Sequence, residues 1–283
     1  MLNHIKTALL MILLTLVLLG LGHLIAGDTG VIIAFVIALV MNFFSYWYSD
    51  SIAVTMTRSR PLKESEAPEV YRAVRELVEN SGMPMPRLYL MPTEQPNAFA
   101  AGRSPKKAVV SVTEGLVRML NERELKGVLA HELAHINNRD VLISTVAAVI
   151  AGALMFISRM GMWGMMFGGG RRDGGGSPVL LLIKLAALII APLAAMVIKM
   201  AISRTREYHA DASGAAMARD PEGLASALQK MESFARRQPL QVNEAASHMF
   251  IVNPLSAKGM SGLFSTHPPI KERVKRLRNQ YVP

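Results

Sequence analysis

The sequence contains no cysteine, which excludes a disulfide framework, a thiolate metal site and a cysteine nucleophile. Any metal must then be held by His, Asp or Glu, and there are only seven histidines among 283 residues. Acidic residues are also few, 21 against 31 Lys and Arg, giving a net charge of +10 and a pI near 10.0. No basic stretch is interleaved with aromatics, so the excess fits loops facing an anionic membrane surface, not nucleic acid. Formal charge is missing altogether from long runs, and hydrophobic residues make up 51% of the chain. Mean hydropathy is +0.28, too apolar for an ordinary soluble domain and too polar for a pure membrane bundle. A mixed protein is expected.

Residues 8–27, ALLMILLTLVLLGLGHLIAG, carry no formal charge and are long enough to span a bilayer core of about 30 Å. The run exceeds the apolar core of a signal peptide, and a second apolar run, 30–48, follows a short Asp28-Thr29 turn. His23 inside the first run reads as a packing or interfacial residue. Aromatics close the second run (Phe43, Phe44, Tyr46, Trp47, Tyr48), and Arg58, Arg60 and Lys63 come after it. With Lys6 before the hairpin, both ends are expected in the cytosol.

Residues 61–136 read as soluble. Val70, Val74, Leu77 and Val78 recur at helical spacing, with Gly82 as the stop. RLYLM, NAFAAG and AVVSVT read as short strands between Pro and Gly turns. Asn121 and Glu124 form a capping-box pattern. No proline or glycine occurs from Val128 to Ala151, so this helix is expected to continue unbroken into a third span over 141–158. GGGRRDGGGSP at 168–178 reads as a flexible tether, and 179–202 as a fourth span kinked at Pro192. Lys184 and Lys199 lie near enough to its ends to snorkel. Residues 203–220 resume a polar helix, Asp220-Pro221 starts another over 222–237, 237–269 look irregular, and 270–281 form a basic amphipathic helix. The expected fold is a mainly α integral membrane protein with four transmembrane helices and a cytosolic zincin-like α+β domain holding a small sheet. Its parts are an N-terminal hairpin (1–50), a first catalytic part (51–140), a second hairpin (141–202) and a second catalytic part (203–283).

The stretch VLAHELAHINNRD at 128–140 carries His131 and His135 four apart, with Glu132 beside the first. Positions i and i+4 share a helix face, so both imidazoles can reach one ion. Zn2+ takes such nitrogens, and Glu132 is placed to take a proton from water beside it. A catalytic site needs a third protein ligand. The metzincin pattern fails, because Val141 stands where its third histidine belongs and Asn138 where its glycine belongs. EYHAD at 207–211 offers the alternative: Glu207 as ligand, with Asp211 on the same face to hydrogen-bond a ligand histidine. His209 faces away and is the weaker candidate. Two candidate spans lie between His135 and Glu207, so the chain returns to the side it left and the ligands can meet.

Taken together, the paired N-terminal spans, NAFA, HELAHINNRD, two further spans, SRTREYHAD and STHPPIKERV resemble the HtpX-type membrane zinc metalloproteases, relatives of the CAAX prenyl endopeptidases. The resemblance covers essentially the whole chain. It implies one Zn2+ per chain and a multi-pass endopeptidase of the bacterial inner (cytoplasmic) membrane. The cytosolic catalytic domain would act on misfolded or damaged membrane proteins. It also implies substrate contacts at Asn97, Ala98 and Phe99, a transition-state donor at His267, and Arg273 as support of that histidine. Asn97 can instead shape a turn after Pro96, and His267 can instead cap the terminal helix. Expected partners are unfolded or membrane-protein substrates and the lipid bilayer, with no nucleic acid; a homo-oligomer is compatible with the sequence. The alternative from another class is a non-catalytic membrane adaptor that binds polypeptides, which would have no need of Glu132.

Overall fold

The structure, a computed structural model, describes residues 2–143, 146, 204–237 and 268–279. Helix α1 (Leu2–Trp47) folds back on itself. Gly27 takes a φ of +57°, and Asn42 Nδ2 donates to Thr15 Oγ1 at 3.0 Å. In a straight helix those two residues would lie about 40 Å apart. The arms close tightly at Gly22, where an added Cβ would stand 2.3 Å from the Gly30 carbonyl oxygen. The arm Gly27–Trp47 is long and apolar enough to cross a membrane, while Thr7–Gly20 is a shorter apolar stretch. One helix arm of spanning length is thus seen among the described residues, where the sequence predicts four spans. The third and fourth candidates, and the loop and irregular segment beside them, lie outside the described residues except at 141–143, 146, 237, 268 and 269.

Helix α2 (Ser49–Met56), which hydropathy alone did not separate from the hairpin, leads into the soluble part. A mixed four-stranded sheet follows, in the order β1-β2-β4-β3. Its strands are β1 (Arg60–Pro61), β2 (Arg87–Met91), β3 (Ala98–Ala101) and β4 (Val109–Thr113). β2 and β4 are parallel, and β3 closes the edge antiparallel to β4. Arg103, just past β3, stacks 4.0 Å over the Trp47 ring and ties this edge to the end of the hairpin. α3 (Pro68–Ser81) buries Val70, Val74, Leu77 and Val78 and stops at Gly82 with φ +65°. α4 (Glu114–Met119) starts from a Thr113 side-chain cap.

α5 (Glu122–Asn137) is the centre of the core. Its start is fixed by the Asn121–Glu124 capping box. Glu124 also accepts from Ser226 and Lys230 of α7 (Pro221–Arg237), at 2.6 and 2.7 Å. Leu125, Val128, Leu129, Leu133 and Ile136 pack into one cluster with α3, α7 and α8 (Ile270–Asn279). Helix α6 (Arg204–Ala218) crosses α5 closely because Gly214 has no side chain: a Cβ there would lie 2.8 Å from the His131 backbone nitrogen.

α5 does not continue unbroken. It ends at Asn137, Arg139 adopts φ +55°, and a helical stretch resumes only at 141–143. The Arg139 N–H donates to the Ile136 carbonyl and the Asp140 N–H to that of His135. This is a Schellman ending with arginine where glycine is usual. The absence of Gly and Pro did not keep the helix straight, because tertiary contacts of Asp140 hold the turn.

Candidate metal centre

α5 and α6 bring three ligand atoms together. His131 Nε2 and His135 Nε2 lie 3.2 Å apart. Glu207 Oε2 is 3.8 Å from the first and Glu207 Oε1 is 3.6 Å from the second. His131, His135 and Glu207 are the group among the described residues with the spacing to hold a metal ion. For ligands about 2.0–2.1 Å from zinc, a tetrahedron has edges of about 3.4 Å. The observed triangle has about that size.

The far side of each imidazole faces a carboxylate. His135 Nδ1 lies 3.1 and 3.2 Å from the two oxygens of Asp140. His131 Nδ1 lies 3.1 Å from Asp211 Oδ1, at an angle poor for a hydrogen bond. Both contacts favour the tautomers that leave Nε2 as a lone pair. Two such lone pairs facing each other at 3.2 Å call for a cation, a proton or a metal. Each carboxylate is in turn next to an arginine. Arg273 grips Asp211 through two bonds of 2.6 and 2.8 Å, and Arg206 Nε is 3.6 Å from Asp140 Oδ2. Four buried carboxylates (Glu132, Glu207, Asp140, Asp211) thus surround two guanidinium groups.

The titration of the site's own side chains follows from this. Burial lifts Glu132 to about 7, against the pull of His135 and a hydrogen bond from the Ala100 backbone. Burial acts to lower His135, but Asp140, Glu207 and Glu132 outweigh it and raise the ring to about 9. Burial pushes His131 below its ordinary range. Asp211 resists burial because Arg273 holds it at about 2.

Glu132 sits beside the ligand triangle at the edge of β3. The Thr113 N–H donates to the Asn97 carbonyl, so antiparallel alternation turns Asn97, Phe99 and Ala101 towards β4 and the backbone groups of Ala98 and Ala100 outwards. The outward Ala100 backbone lies near Glu132 and acts to lower its pKa. Asn97 is buried and also held by its N–H to Thr113 Oγ1 at 2.9 Å. The side chain of Phe99 is buried in a small cluster with Ala53, Met91, Ala101 and Val109, and Ala98 is part of the main core. Neither side chain is open to a substrate, the Phe99 backbone faces β4, and of the outward positions Ala100 is the partly exposed one.

His209 is exposed and outside the ligand group. His267 lies outside the described residues. Arg273 stands behind Asp211, with its Nη1 buried, unpartnered and 3.8 Å from Glu207 Oε2. Asp140 and Arg206 were not singled out from sequence. Asp140 is five residues past His135, off its helix face, and only the turn at Arg139 brings it back.

Comparison with known proteins gives the same picture. The profile of peptidase family M48 matches residues 64–281. A Protease HtpX homolog of Pelotomaculum thermopropionicum is 58% identical over 97% of this chain and 98% of its own. Another from Syntrophobacter fumaroxidans is 50% identical over 98% and 99%, and one from Pyrococcus furiosus is 52% identical over 97% and 94%. Among solved structures, S. mikatae Ste24p superposes with a TM-score of 0.50 at 17% identity, over 84% of this chain and 56% of that one, a likeness of fold. A family profile covering most of the chain, full-length relatives and a matching metal triad agree: the chain belongs to peptidase family M48 and is a membrane metalloendopeptidase.

Proposed function

We propose that the chain is a zinc endopeptidase that cleaves misfolded or damaged membrane proteins at the cytosolic face of the cytoplasmic membrane. The observation that carries this reading is the meeting of the His131, His135 and Glu207 ligand atoms with Glu132 at the outward edge of β3. Two imidazoles and one carboxylate, without sulfur, suit a catalytic zinc site with an open position. When bound, zinc polarises a carbonyl group and brings the pKa of water towards neutrality. Glu132, near the Ala100 backbone, accepts the proton from water and returns it to the departing amine. An extended substrate pairs with the free edge of β3 at Ala100, which gives affinity with little sequence preference. Asn97 anchors the start of that strand through Thr113. Asp211, gripped by Arg273, orients His131. The resemblance assigns the oxyanion donor to His267, six residues before Arg273.

Four spans in two hairpins, 1–50 and 141–202, with catalytic parts 51–140 and 203–283, keep all ligands on one side. Arg58, Arg60 and Lys63 beside the aromatic end of the first hairpin support the cytosol as that side. A polypeptide-binding adaptor would need no acid–base carboxylate, so the burial of Glu132 against the triad supports the enzyme.

The test is metal content with cleavage of an unfolded protein, on protein purified in detergent. Wild type is expected to hold one zinc per chain, lose cleavage to a chelator and regain it with zinc. His131→Ala, His135→Ala and Glu207→Ala lose metal and activity, whereas His209→Ala keeps both. Zinc retained by Glu207→Ala but lost by His209→Ala overturns the ligand assignment.

A further inference from the structure

We propose that Asp140 and Arg206 are a positioning pair for the metal centre: Asp140 orients the His135 ring, and Arg206 fixes Asp140 while holding the neighbouring Glu207 in register. The inference rests on the metallopeptidase reading above and adds two residues to it. Asp140 is 2% exposed, and both of its carboxylate oxygens lie within 3.2 Å of His135 Nδ1. Its Oδ2 is 3.6 Å from Arg206 Nε, whose side chain is 9% exposed. Arg206 precedes Glu207 in the first turn of α6. The pair therefore touches one ligand directly and the next through a single peptide bond.

Two local facts show that Asp140 is held there for its contacts. A carboxylate just past the end of a helix meets the negative end of the macrodipole, an unfavourable place unless cations compensate. Reaching that place also requires Arg139 at φ +55°, a conformation that disfavours a side chain by about 1–2 kcal/mol. Contacts with His135 and Arg206 contribute to offsetting both. The arrangement repeats on the other ligand, where Asp211 faces His131 Nδ1 and is gripped by Arg273. Each histidine thus has a carboxylate behind it and an arginine behind that. The two arginines come from different helices, Arg206 from α6 and Arg273 from α8.

The pair also joins the points where the chain leaves for and returns from the segment 141–203. Asp140 is the last residue before it and Arg206 lies just after it. Closing this contact is what brings Glu207, on one side of the segment, to His135 on the other. A displaced return helix would release Asp140, and with it the preferred orientation of His135.

A plainer role for Asp140 is the N-cap of the helical stretch at 141–143. Asn caps as well as Asp, so Asp140→Asn separates the two roles: it preserves a cap and removes the carboxylate behind His135. Expected for Asp140→Asn is zinc affinity lower by about 10–100-fold in chelator competition. The visible absorption of the Co2+-substituted protein should shift, and kcat should fall with KM little changed. Arg206→Gln should weaken zinc in the same direction, with Arg206→Lys recovering part of the loss. The double variant should lose less than the sum of the two, because the residues act through one contact. Arg123→Gln, which breaks a surface pair with Asp220 far from the site, serves as the folding control and should leave zinc affinity unchanged. Zinc affinity and Co2+ spectrum of Asp140→Asn equal to wild type overturn the proposal and leave capping as its role. A lowered melting temperature with unchanged affinity per folded molecule overturns it too. A wild-type protein that binds no zinc instead removes the reading beneath it.

Discussion

Gly214→Ala tests how closely the ligand triangle depends on helix packing. Glu207, Asp211 and Gly214 lie on one face of α6, at spacings of four and three. Gly214 is the contact point with α5: an added Cβ would stand 2.8 Å from the His131 nitrogen, 2.9 Å from its Cα and 3.0 Å from the Ala130 carbonyl carbon. All three are backbone atoms of a buried helix and cannot swing aside. Restoring ordinary contact, 3.4 Å or more, requires α6 to move from α5 by about half an ångström. Metal–ligand distances tolerate about 0.2 Å, and Glu207 is two turns along the helix that must move. We expect at least a tenfold loss of zinc affinity, comparable to losing an orienting partner, and about 1–3 kcal/mol of stability from overpacking. Chelator competition and thermal unfolding with and without zinc measure both. Ala216→Ser, on the exposed face of α6, should change neither. If Gly214→Ala keeps zinc affinity within twofold of wild type, α6 does not carry Glu207 as a rigid arm and the packing argument fails.

Three further outcomes follow from the same structure. Glu124→Ala removes the reciprocal half of the α5 cap and strands Ser226 and Lys230 of α7; a loss of about 2–3 kcal/mol is expected, and unchanged denaturant midpoints would count against it. In the metal-free protein Asp211 titrates at about 2, below its ordinary 3.8. Its contribution is therefore complete above pH 4 and is lost as pH falls through 2, so the stability gap between wild type and Asp211→Asn should narrow by about 2 kcal/mol over that interval. A gap that stays constant refutes the Arg273 pairing as its source. The chain has no cysteine background, so membrane crossing by 141–202 can be read by labelling: Ser177→Cys should react with an impermeant thiol reagent in intact cells, and Ser256→Cys only after lysis. Protection of Ser177→Cys until lysis, with a cysteine at Asp28 labelled, would mean that the second hairpin does not span.

What could be read in the sequence and what could not divide by physical cause. The helix starts and stops were local, carried by Asn121 with Glu124 and by Gly82, and local chemistry is written in neighbouring residues. The three ligand candidates were also legible, because i, i+4 spacing fixes a shared face within one helix, for His131 with His135 and for Glu207 with Asp211. The break after α5 was not legible. Arg139 holds a conformation its own chemistry disfavours, and the turn places Asp140 against His135 and Arg206, the latter distant in sequence. Asp140 was hidden for the same reason, since helical spacing points it away from His135. Nor could spacing reveal that β3 sits at the sheet edge with the Ala100 backbone near Glu132, because β2 pairs with β4 across the intervening strand. Phe99, which the motif suggests for substrate contact, faces a small core because its register on β4 sends it there.

The central claim is that His131, His135 and Glu207 hold the metal while Glu132, bound by none of them, handles the proton. Glu132→Gln preserves size but removes the proton acceptor. Zinc content and cleavage of an unfolded protein, measured on the same preparation, should show one zinc per chain and turnover lowered by at least about 10²-fold. Zinc retained with substantial turnover would remove Glu132 from the mechanism, and zinc lost with turnover would make it a ligand; either result contradicts the account.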